Sequence, residues 1–193
     1  MSGKNIILGV TGGIAAYKSC DLISGLRNKG YDVRVIMTEH AKEFITPLTL
    51  ATLSRHPVME TMWAERNGSV EHIEVAKWAN LFVVYPATAN IMAKFAHGIA
   101  DDLLSTVYLA LPFMKIATII FPAMNSYMLD NQVTRENMGL LTARGCLVTD
   151  TREAELACGD IGKGALLKPR DALDIIEKTS KTDVRFQDKI MKG

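Results

Sequence analysis

The sequence has few cysteines, almost no net charge and no long apolar run, and each shortage excludes a class of protein. Its three cysteines, Cys20, Cys146 and Cys158, are odd in number and far apart, so neither a disulfide framework nor a paired C-x-x-C zinc site is expected. Lysine plus arginine (22) nearly balance aspartate plus glutamate (21), which leaves no strong field to attract nucleic acid or anionic lipid. Reduced thiols and this balance predict a cytoplasmic protein without nucleic-acid partners.

The chain is long enough for one domain, and its N-terminus predicts no membrane contact. The apolar run after residues 1–5 has only about six residues, too few for a secretory signal or a bilayer span. The 193 residues suffice for a single full core. We predict that domain over residues 1–179, with a charged tail or linker at 180–193, where polar and charged residues dominate.

Strand and helix patterns alternate along the chain. This alternation predicts a Rossmann-like (flavodoxin-like) α/β fold, an open parallel sheet with helices on both faces in three layers. Strands are predicted at residues 5–10, 32–37, 81–85, 116–121 and 146–149. Helices are predicted at residues 14–28, 48–54, 90–96, 101–111, 134–144 and 169–178. Ligands bind beyond the carboxyl ends of the strands in such a sheet, so we expect the site there.

The first predicted strand leads through Gly12 and Gly13 directly into a helix. Small residues at such a turn let backbone N–H groups and the positive helix end face an anion, which predicts a phosphate site. The spacing differs from the dinucleotide G-x-G-x-x-G, and Thr38 stands where a ribose-binding acid would follow the second strand. A mononucleotide phosphate held partly by hydroxyls fits better, and a simple tight turn is the alternative.

Two further loops follow the third and fourth strands at the same predicted edge. One contains Pro86, Thr88 and Asn90, and the other contains Pro122 and Asn125. Each proline could merely end a strand, and each asparagine could merely cap a helix. With the turn after the first strand and Thr38 after the second, these loops make four candidate segments at one edge of the sheet. One binding site explains all four better than four separate structural roles do.

A lone cysteine lies in the glycine-rich segment at residues 156–164. The segment contains Gly159, Gly162 and Gly164, and glycine loses more conformational entropy on folding than any other residue. We therefore predict a mobile flap that carries the thiol of Cys158 for a chemical role. An incidental surface cysteine is the alternative.

His72 follows a polar loop and is a candidate acid or base. Its side-chain type has an unperturbed pKa near neutrality, which suits proton transfer, but one histidine by itself does not decide the matter. His40, His56 and His97 have ordinary helix or loop settings and receive no chemical role.

Together, five segments resemble the flavin-containing cysteine decarboxylases. They lie at residues 9–18, 72–75, 86–90, 122–128 and 157–160, in order along the chain. Within that family the resemblance is strongest to the members that act in coenzyme A synthesis, and it extends over residues 4–173. Val75 and Leu129 depart from the family's motifs, and both are apolar changes that affect packing more than chemistry.

The resemblance implies a carboxy-lyase that uses FMN for the oxidative decarboxylation of 4'-phosphopantothenoylcysteine to 4'-phosphopantetheine. By motif position, His72 would serve oxidation and decarboxylation, Asn125 would hold the substrate carboxylate, and Cys158 would protonate the ene-thiolate. No external electron carrier is needed, because the substrate is oxidised and then reduced again. The resemblance places the cofactor against Thr11, Gly12, Gly13, Ile14, Thr38, Thr88, Ala89, Asn90, Ile91 and Met124. No metal site is expected.

The resemblance also implies a homotrimer, because the flavin site of the family is shared between subunits, and trimers can assemble further into a tetramer of trimers. Other functions stay open: decarboxylation of a peptide's C-terminal cysteine, regulation of a protein phosphatase without catalysis, and flavin prenyl transfer. The short loop at 159–168 favours a small phosphorylated substrate, the C-terminus lacks a long acidic tail, and prenyl transfer does not need Cys158. The sequence does not decide whether the chain is free-standing or part of a fusion with the synthetase that makes its substrate.

Overall fold

A five-stranded parallel sheet forms the centre of the protein. The computed structural model describes residues 4–62, 71–112, 115–155 and 161–183. The strands are β1 Asn5–Val10, β2 Asp32–Met37, β3 Leu81–Ala87, β4 Ala117–Pro122 and β5 Leu147–Val148. Their order is β2-β1-β3-β4-β5, with every neighbouring pair parallel. This is the flavodoxin-like doubly wound order, so the predicted fold class is confirmed.

Helices connect the strands and cover both faces of the sheet. They are α1 Ser19–Asn28, α2 Pro47–Ser54, α3 Glu71–Trp78, α4 Ala89–His97, α5 Leu103–Ala110, α6 Ser126–Asp130, α7 Gln132–Ala143 and α8 Pro169–Thr182. Two 3-10 turns, Ile14–Lys18 and Glu39–Glu43, follow β1 and β2. No helix in the described parts of the chain is long and apolar enough to cross a membrane.

The core has two halves, one on each face of the sheet. Successive side chains of a strand point to opposite faces, so Ile6 and Leu8 of β1 pack with Leu22 of α1, whereas Ile7 packs with Phe95 of α4. All residues of β3 and β4 are buried, which is typical of central strands in a parallel sheet. The apolar runs that predicted these strands therefore reflect burial on both faces.

Local signals set several helix ends. Thr46 caps α2 by accepting a hydrogen bond from the Thr49 N–H at 3.3 Å, and Pro47 occupies the first turn, as predicted. The predicted helix at 14–28 instead begins as a 3-10 turn and becomes α-helical at Ser19. Gly30 has a φ of +80°, the left-handed conformation in which a helix commonly ends.

An antiparallel hairpin, β6 Arg152–Glu155 and β7 Ile161–Ala165, forms a second, small sheet. The prediction that the strand at 146–149 is the last one is therefore wrong, and residues 161–165 form a paired strand where a mobile flap was expected. Charged residues in β6 and glycines in β7 have weak strand propensity, so the sequence does not reveal this hairpin. Cys158 lies between the two strands, outside the described residues.

The last helix, α8, is longer than predicted. It continues to Thr182, whereas the sequence pattern ended it at Lys178. Ser180 is buried, and its hydroxyl lies 2.7 Å from the hydroxyl of Tyr31. This contact ties residues beyond 179 to the folded core, and the division into a domain at 1–179 and a tail at 180–193 stays a prediction.

Candidate functional site

A cavity of about 440 Å³ opens at the carboxyl ends of β1, β3 and β4. It is next to the point between β1 and β3 where the strand order reverses, which is where open α/β sheets bind ligands. Its walls come from the turn after β1, the loops after β3 and β4, and the β6–β7 hairpin. A second cavity of about 230 Å³, near Tyr108 and Cys146, contains none of the predicted site residues. The first cavity is therefore the candidate site.

Gly12, Gly13 and Ile14 all line this cavity. A Cβ at Gly12 would lie 2.5 Å from the Cβ of His40, so only glycine fits where the turns after β1 and β2 meet. The Gly13 carbonyl accepts a hydrogen bond from the Ala16 N–H at 2.8 Å and begins the 3-10 turn. The backbone of this turn therefore borders the cavity, and the anion site expected there stays a prediction.

Thr11 has a structural role that the sequence analysis did not foresee. Its side chain is 1% exposed, and its hydroxyl donates to the Pro86 carbonyl at 2.8 Å and accepts from the Thr88 N–H at 3.1 Å. It is not among the residues that line the cavity. Thr11 joins the ends of β1 and β3 and thereby positions the loop that carries Thr88, and its assignment to cofactor binding stays a prediction.

The loop after β3 supplies Thr88 and Ala89 to the cavity. Thr88 caps α4, because its hydroxyl accepts a hydrogen bond from the Ile91 N–H at 3.3 Å. Asn90 is exposed and Ile91 is buried in the core, and neither lines the cavity. The helical period turns these two side chains away from this cavity, and their assignment to cofactor binding stays a prediction.

The loop after β4 brings Met124, Asn125 and Met128 to the cavity. The Asn125 side-chain oxygen accepts a hydrogen bond from the Tyr127 N–H at 2.8 Å and caps α6. This bond fixes the orientation of the amide to which the resemblance assigns the substrate carboxylate. Met128 was missed because the sequence analysis did not predict α6, the helix that places it there.

The β6–β7 hairpin forms another wall of the cavity and is bonded to the loop after β4. The Gly164 carbonyl accepts a hydrogen bond from the Met124 N–H at 3.0 Å, and the Ser126 hydroxyl donates to the Lys163 carbonyl at 2.7 Å. A Cβ at Gly164 would lie 2.2 Å from the Met124 carbonyl oxygen, and φ at Gly164 is +125°. The lack of a side chain at Gly164 therefore lets β7 lie close to the loop after β4. From the sequence, this glycine was expected to make its segment mobile.

Two cationic side chains, Lys18 and Arg152, line the cavity, and the sequence analysis identified neither as a site residue. Burial lowers the pKa of Lys18, and the positive charge of Arg152 lowers it further. Neither forms an ion pair with a carboxylate among the residues the structure describes. In the sequence, such residues look like solvated surface, so only the tertiary structure reveals the pair.

Thr38, His72 and Cys158 are not part of the cavity as the described residues form it. The Thr38 N–H donates to the Val10 carbonyl at 3.1 Å, and His72 is half-buried on α3, but neither lines the cavity. Cys158 falls outside the described residues, so its role stays a prediction. Within residues 4–62, 71–112, 115–155 and 161–183, no group of three His, Cys, Asp or Glu residues could hold a metal ion.

The strand order and the cavity at its switch point define a doubly wound α/β protein with a ligand site at the carboxyl edge of its sheet. The chain belongs to the Flavoprotein family, whose model matches residues 1–181. The family-level resemblance drawn from the five motifs is thereby confirmed.

Curated relatives agree with this family. The Coenzyme A biosynthesis bifunctional protein CoaBC of Escherichia coli (strain K12) is 44% identical over 176 residues, which cover 91% of this chain and 43% of the relative. The chain thus spans less than half the length of that relative. A protein named probable phosphopantothenoylcysteine decarboxylase, from Streptococcus mutans serotype c, is 46% identical over 164 residues, covering 84% of this chain and 91% of the relative.

Solved structures share the fold over nearly the whole chain. A cysteine-to-serine mutant of a PPC decarboxylase, complexed with pantothenoylaminoethenethiol, matches with a TM-score of 0.83 and 26% identity, covering 93% of this chain and all of that chain (100%). The FMN-dependent cysteine decarboxylase SpaF matches with a TM-score of 0.79 and 26% identity, covering 92% of this chain and 97% of its own.

Proposed function

We propose that the chain is an FMN-dependent decarboxylase that converts 4'-phosphopantothenoylcysteine to 4'-phosphopantetheine in coenzyme A biosynthesis. The observation that carries the proposal is the cavity in which a glycine turn, the Asn125 amide and two cations meet at the carboxyl edge of the sheet. The names of the relatives support it, since they include a phosphopantothenoylcysteine decarboxylase and a bifunctional protein of coenzyme A biosynthesis.

The residues around the cavity fit a flavin mononucleotide. Ile14, Ala89, Met124 and Leu166 provide an apolar lining of the kind that a flat isoalloxazine ring requires. The glycine turn and the cavity cations suit its phosphate. When bound, FMN supplies a two-electron acceptor and donor, so that the substrate is oxidised and reduced without an external carrier.

Asn125 suits the substrate carboxylate because its amide is a neutral donor. A cation at this position would hold the carboxylate in its ground state and oppose its departure as carbon dioxide, whereas an amide binds it without that penalty. The hydrogen bond from the Tyr127 N–H holds the amide in one orientation at the edge of the cavity.

His72 and Cys158 would divide the proton transfers of the reaction. His72 would accept a proton during oxidation and decarboxylation, and Cys158 would later protonate the ene-thiolate, since a thiol with an ordinary pKa of about 8.5 is a usable acid. Cys158 connects β6 to β7, and β7 is bonded to the loop that carries Asn125. Chain connectivity therefore supports a position of the thiol near the cavity.

The site is completed by a neighbouring subunit in a homotrimer, with a tetramer of trimers as the larger assembly. Two observations support a site that is shared between subunits. His72 does not line the cavity of its own chain. Tyr127, which lies beside Asn125, is 81% exposed although it is aromatic. We place the enzyme in the cytoplasm, and the fact that Cys20 and Cys146 form no disulfide among the described residues supports a reducing compartment.

The test supplies two substrates to the purified protein after it has been loaded with FMN. We expect carbon dioxide and 4'-phosphopantetheine from 4'-phosphopantothenoylcysteine, with the flavin oxidised at the end, and no reaction with a peptide that ends in cysteine. Turnover of the peptide alone would support the peptide decarboxylase instead. A protein that takes up no FMN by titration would contradict the whole proposal.

A further inference from the structure

We propose that Lys18 and Arg152 together form a subsite for a phosphate monoester on the hairpin side of the cavity. The proposal rests on the proposed function, which provides two ligands with this group, FMN and 4'-phosphopantothenoylcysteine. Both residues line the same cavity although they are far apart in the sequence.

Two different elements bring the cations together. Lys18 ends the 3-10 turn that follows β1, and Arg152 begins β6. The Arg152 Nε–H donates to the Leu166 carbonyl at 3.0 Å, which holds the guanidinium group against the segment after β7. The two NH₂ groups of an arginine held in this way can bind phosphate oxygens in a bidentate manner, while a lysine adds a point charge.

This pair differs from the ion-paired lysines of the described structure. Lys29, Lys42 and Lys94 each lie within 3.2 Å of a carboxylate oxygen, at 3.1 Å from Glu177, at 2.7 and 3.2 Å from two glutamates, and at 2.6 and 2.7 Å from two aspartates. Lys18 and Arg152 have no such partner among the described residues, and the charge of Arg152 opposes protonation of Lys18. An anion bound between them removes this repulsion, and a phosphate monoester carries close to two negative charges at neutral pH.

The chemistry of decarboxylation indicates which anion belongs to the pair. The carboxylate that leaves as carbon dioxide is best bound by a neutral group, and Asn125 provides one on the loop after β4. Two cations suit an anion that takes no part in the reaction. Binding energy from such a remote phosphate can position the reacting end of a ligand without stabilising its carboxylate.

The experiment removes one charge at a time and compares ligands that differ only by the phosphate. Lys18→Met and Arg152→Met are compared with Lys163→Met, which removes a charge from β7 outside the cavity lining. FMN and riboflavin compete for the purified protein, and the ratio bound is read by chromatography. Binding of 4'-phosphopantetheine and pantetheine is measured by calorimetry.

Each cavity variant should lower the affinity for the phosphorylated member of one pair by about 10-fold or more, because a charged hydrogen bond is lost. The affinity for the unphosphorylated member, the melting temperature and the Lys163→Met variant should change little. A fall in the FMN to riboflavin ratio assigns the subsite to the cofactor, and a selective loss of 4'-phosphopantetheine assigns it to the substrate. Arg152→Lys keeps the positive charge but not the two NH₂ groups, so it should recover part of the lost affinity.

The proposed subsite is overturned if the variants weaken the binding of phosphorylated and unphosphorylated ligands equally. It is also overturned if they weaken the binding of neither. The proposed function fails in a different way. If the wild-type protein loaded with FMN does not convert 4'-phosphopantothenoylcysteine, that function is lost, while the competition between FMN and riboflavin still tests the two cations.

Discussion

The Asn125 side chain both caps α6 and faces the cavity, and one substitution separates these two roles. Aspartate is as good an N-cap as asparagine, so Asn125→Asp should keep the bond from the Tyr127 N–H and leave folding intact. The new carboxylate repels the substrate's own carboxylate, and we expect substrate affinity to fall by about 10-fold or more with FMN still bound. Calorimetry with the substrate and the flavin absorbance measure the two effects.

Asn131→Asp is the matched control for this prediction. Asn131 caps α7 through the Val133 N–H at 3.0 Å, is exposed and does not line the cavity. The same chemical change there should leave substrate affinity within a factor of about two. Normal substrate binding by Asn125→Asp would remove Asn125 from carboxylate recognition.

At single positions, the sequence shows which residues could form the site, but their hydrogen-bond partners in the fold decide the role of each one. Gly12, Gly13, Thr88, Ala89 and Asn125 lie at the cavity as predicted. Their position follows from the fold, since residues just after parallel strands meet at one edge of the sheet.

The structural role of the Thr11 hydroxyl and the place of the Arg152 charge at the cavity were missed because their partners are distant in sequence. Thr11 bonds to Pro86, 75 positions away, and Arg152 acts on Lys18 across the cavity. No local pattern encodes such pairs, so they become visible only once the sheet and the hairpin are in place.

At the scale of elements, the contact of β7 with the loop after β4 can be tested through Gly164. Alanine there would place a Cβ 2.2 Å from the Met124 carbonyl oxygen in a conformation that costs about 1–3 kcal/mol for residues other than glycine. We expect Gly164→Ala to displace the hairpin from the loop and to lower catalysis, with the central sheet intact. Hydrogen exchange at the Met124 amide should become faster, because its bond to the Gly164 carbonyl is lost.

Gly139→Ala provides the control for this change. Gly139 lies within α7, and apart from its neighbours along the same helix no described group comes within 4 Å of a Cβ built there. Because glycine weakens a helix interior, alanine should stabilise the protein by about 0.5–1 kcal/mol and leave activity unchanged. Unfolding in urea measures this gain. If Gly164→Ala behaves like Gly139→Ala, the close approach of β7 has no functional importance.

The elements that the sequence predicts well are those whose signal is local. β2 matches its predicted bounds of 32–37, because its alternating and branched apolar residues form the sheet core directly. The hairpin β6–β7 and the helices α3 and α6 were missed. β6 is rich in charge and β7 in glycine, and α3 and α6 are only 8 and 5 residues long, so tertiary contacts outweigh propensity there.

At the scale of the whole molecule, the sharing of the site between subunits predicts complementation. At substrate concentrations far below saturation, His72→Asn should be inactive and Asn125→Asp should keep about a tenth of the activity or less, but trimers that contain both variants should regain activity. Random mixing leaves about a quarter of the sites with an intact His72 and an intact Asn125 from different subunits. We therefore expect about a quarter of the wild-type rate, and a mass by light scattering that is a multiple of three chains.

Mixed preparations with no activity would show that both residues act within one subunit. A stable monomer loaded with FMN would contradict the trimer directly. Mixing two independently prepared Asn125→Asp samples is the control, since no combination of these subunits can restore the amide.

The central claim is that the substrate is oxidised and then reduced again within the same site. The mass of the product formed by Cys158→Ser tests this claim most directly. Serine is nearly isosteric with cysteine, but its hydroxyl is a far weaker acid than a thiol of pKa about 8.5 and cannot readily protonate the ene-thiolate. We predict that the wild-type protein forms 4'-phosphopantetheine with oxidised flavin, while the variant releases carbon dioxide once, keeps its flavin reduced and forms a product lighter by two hydrogens. If the variant forms 4'-phosphopantetheine at the normal rate, the thiol is incidental and the proposed reaction sequence is wrong.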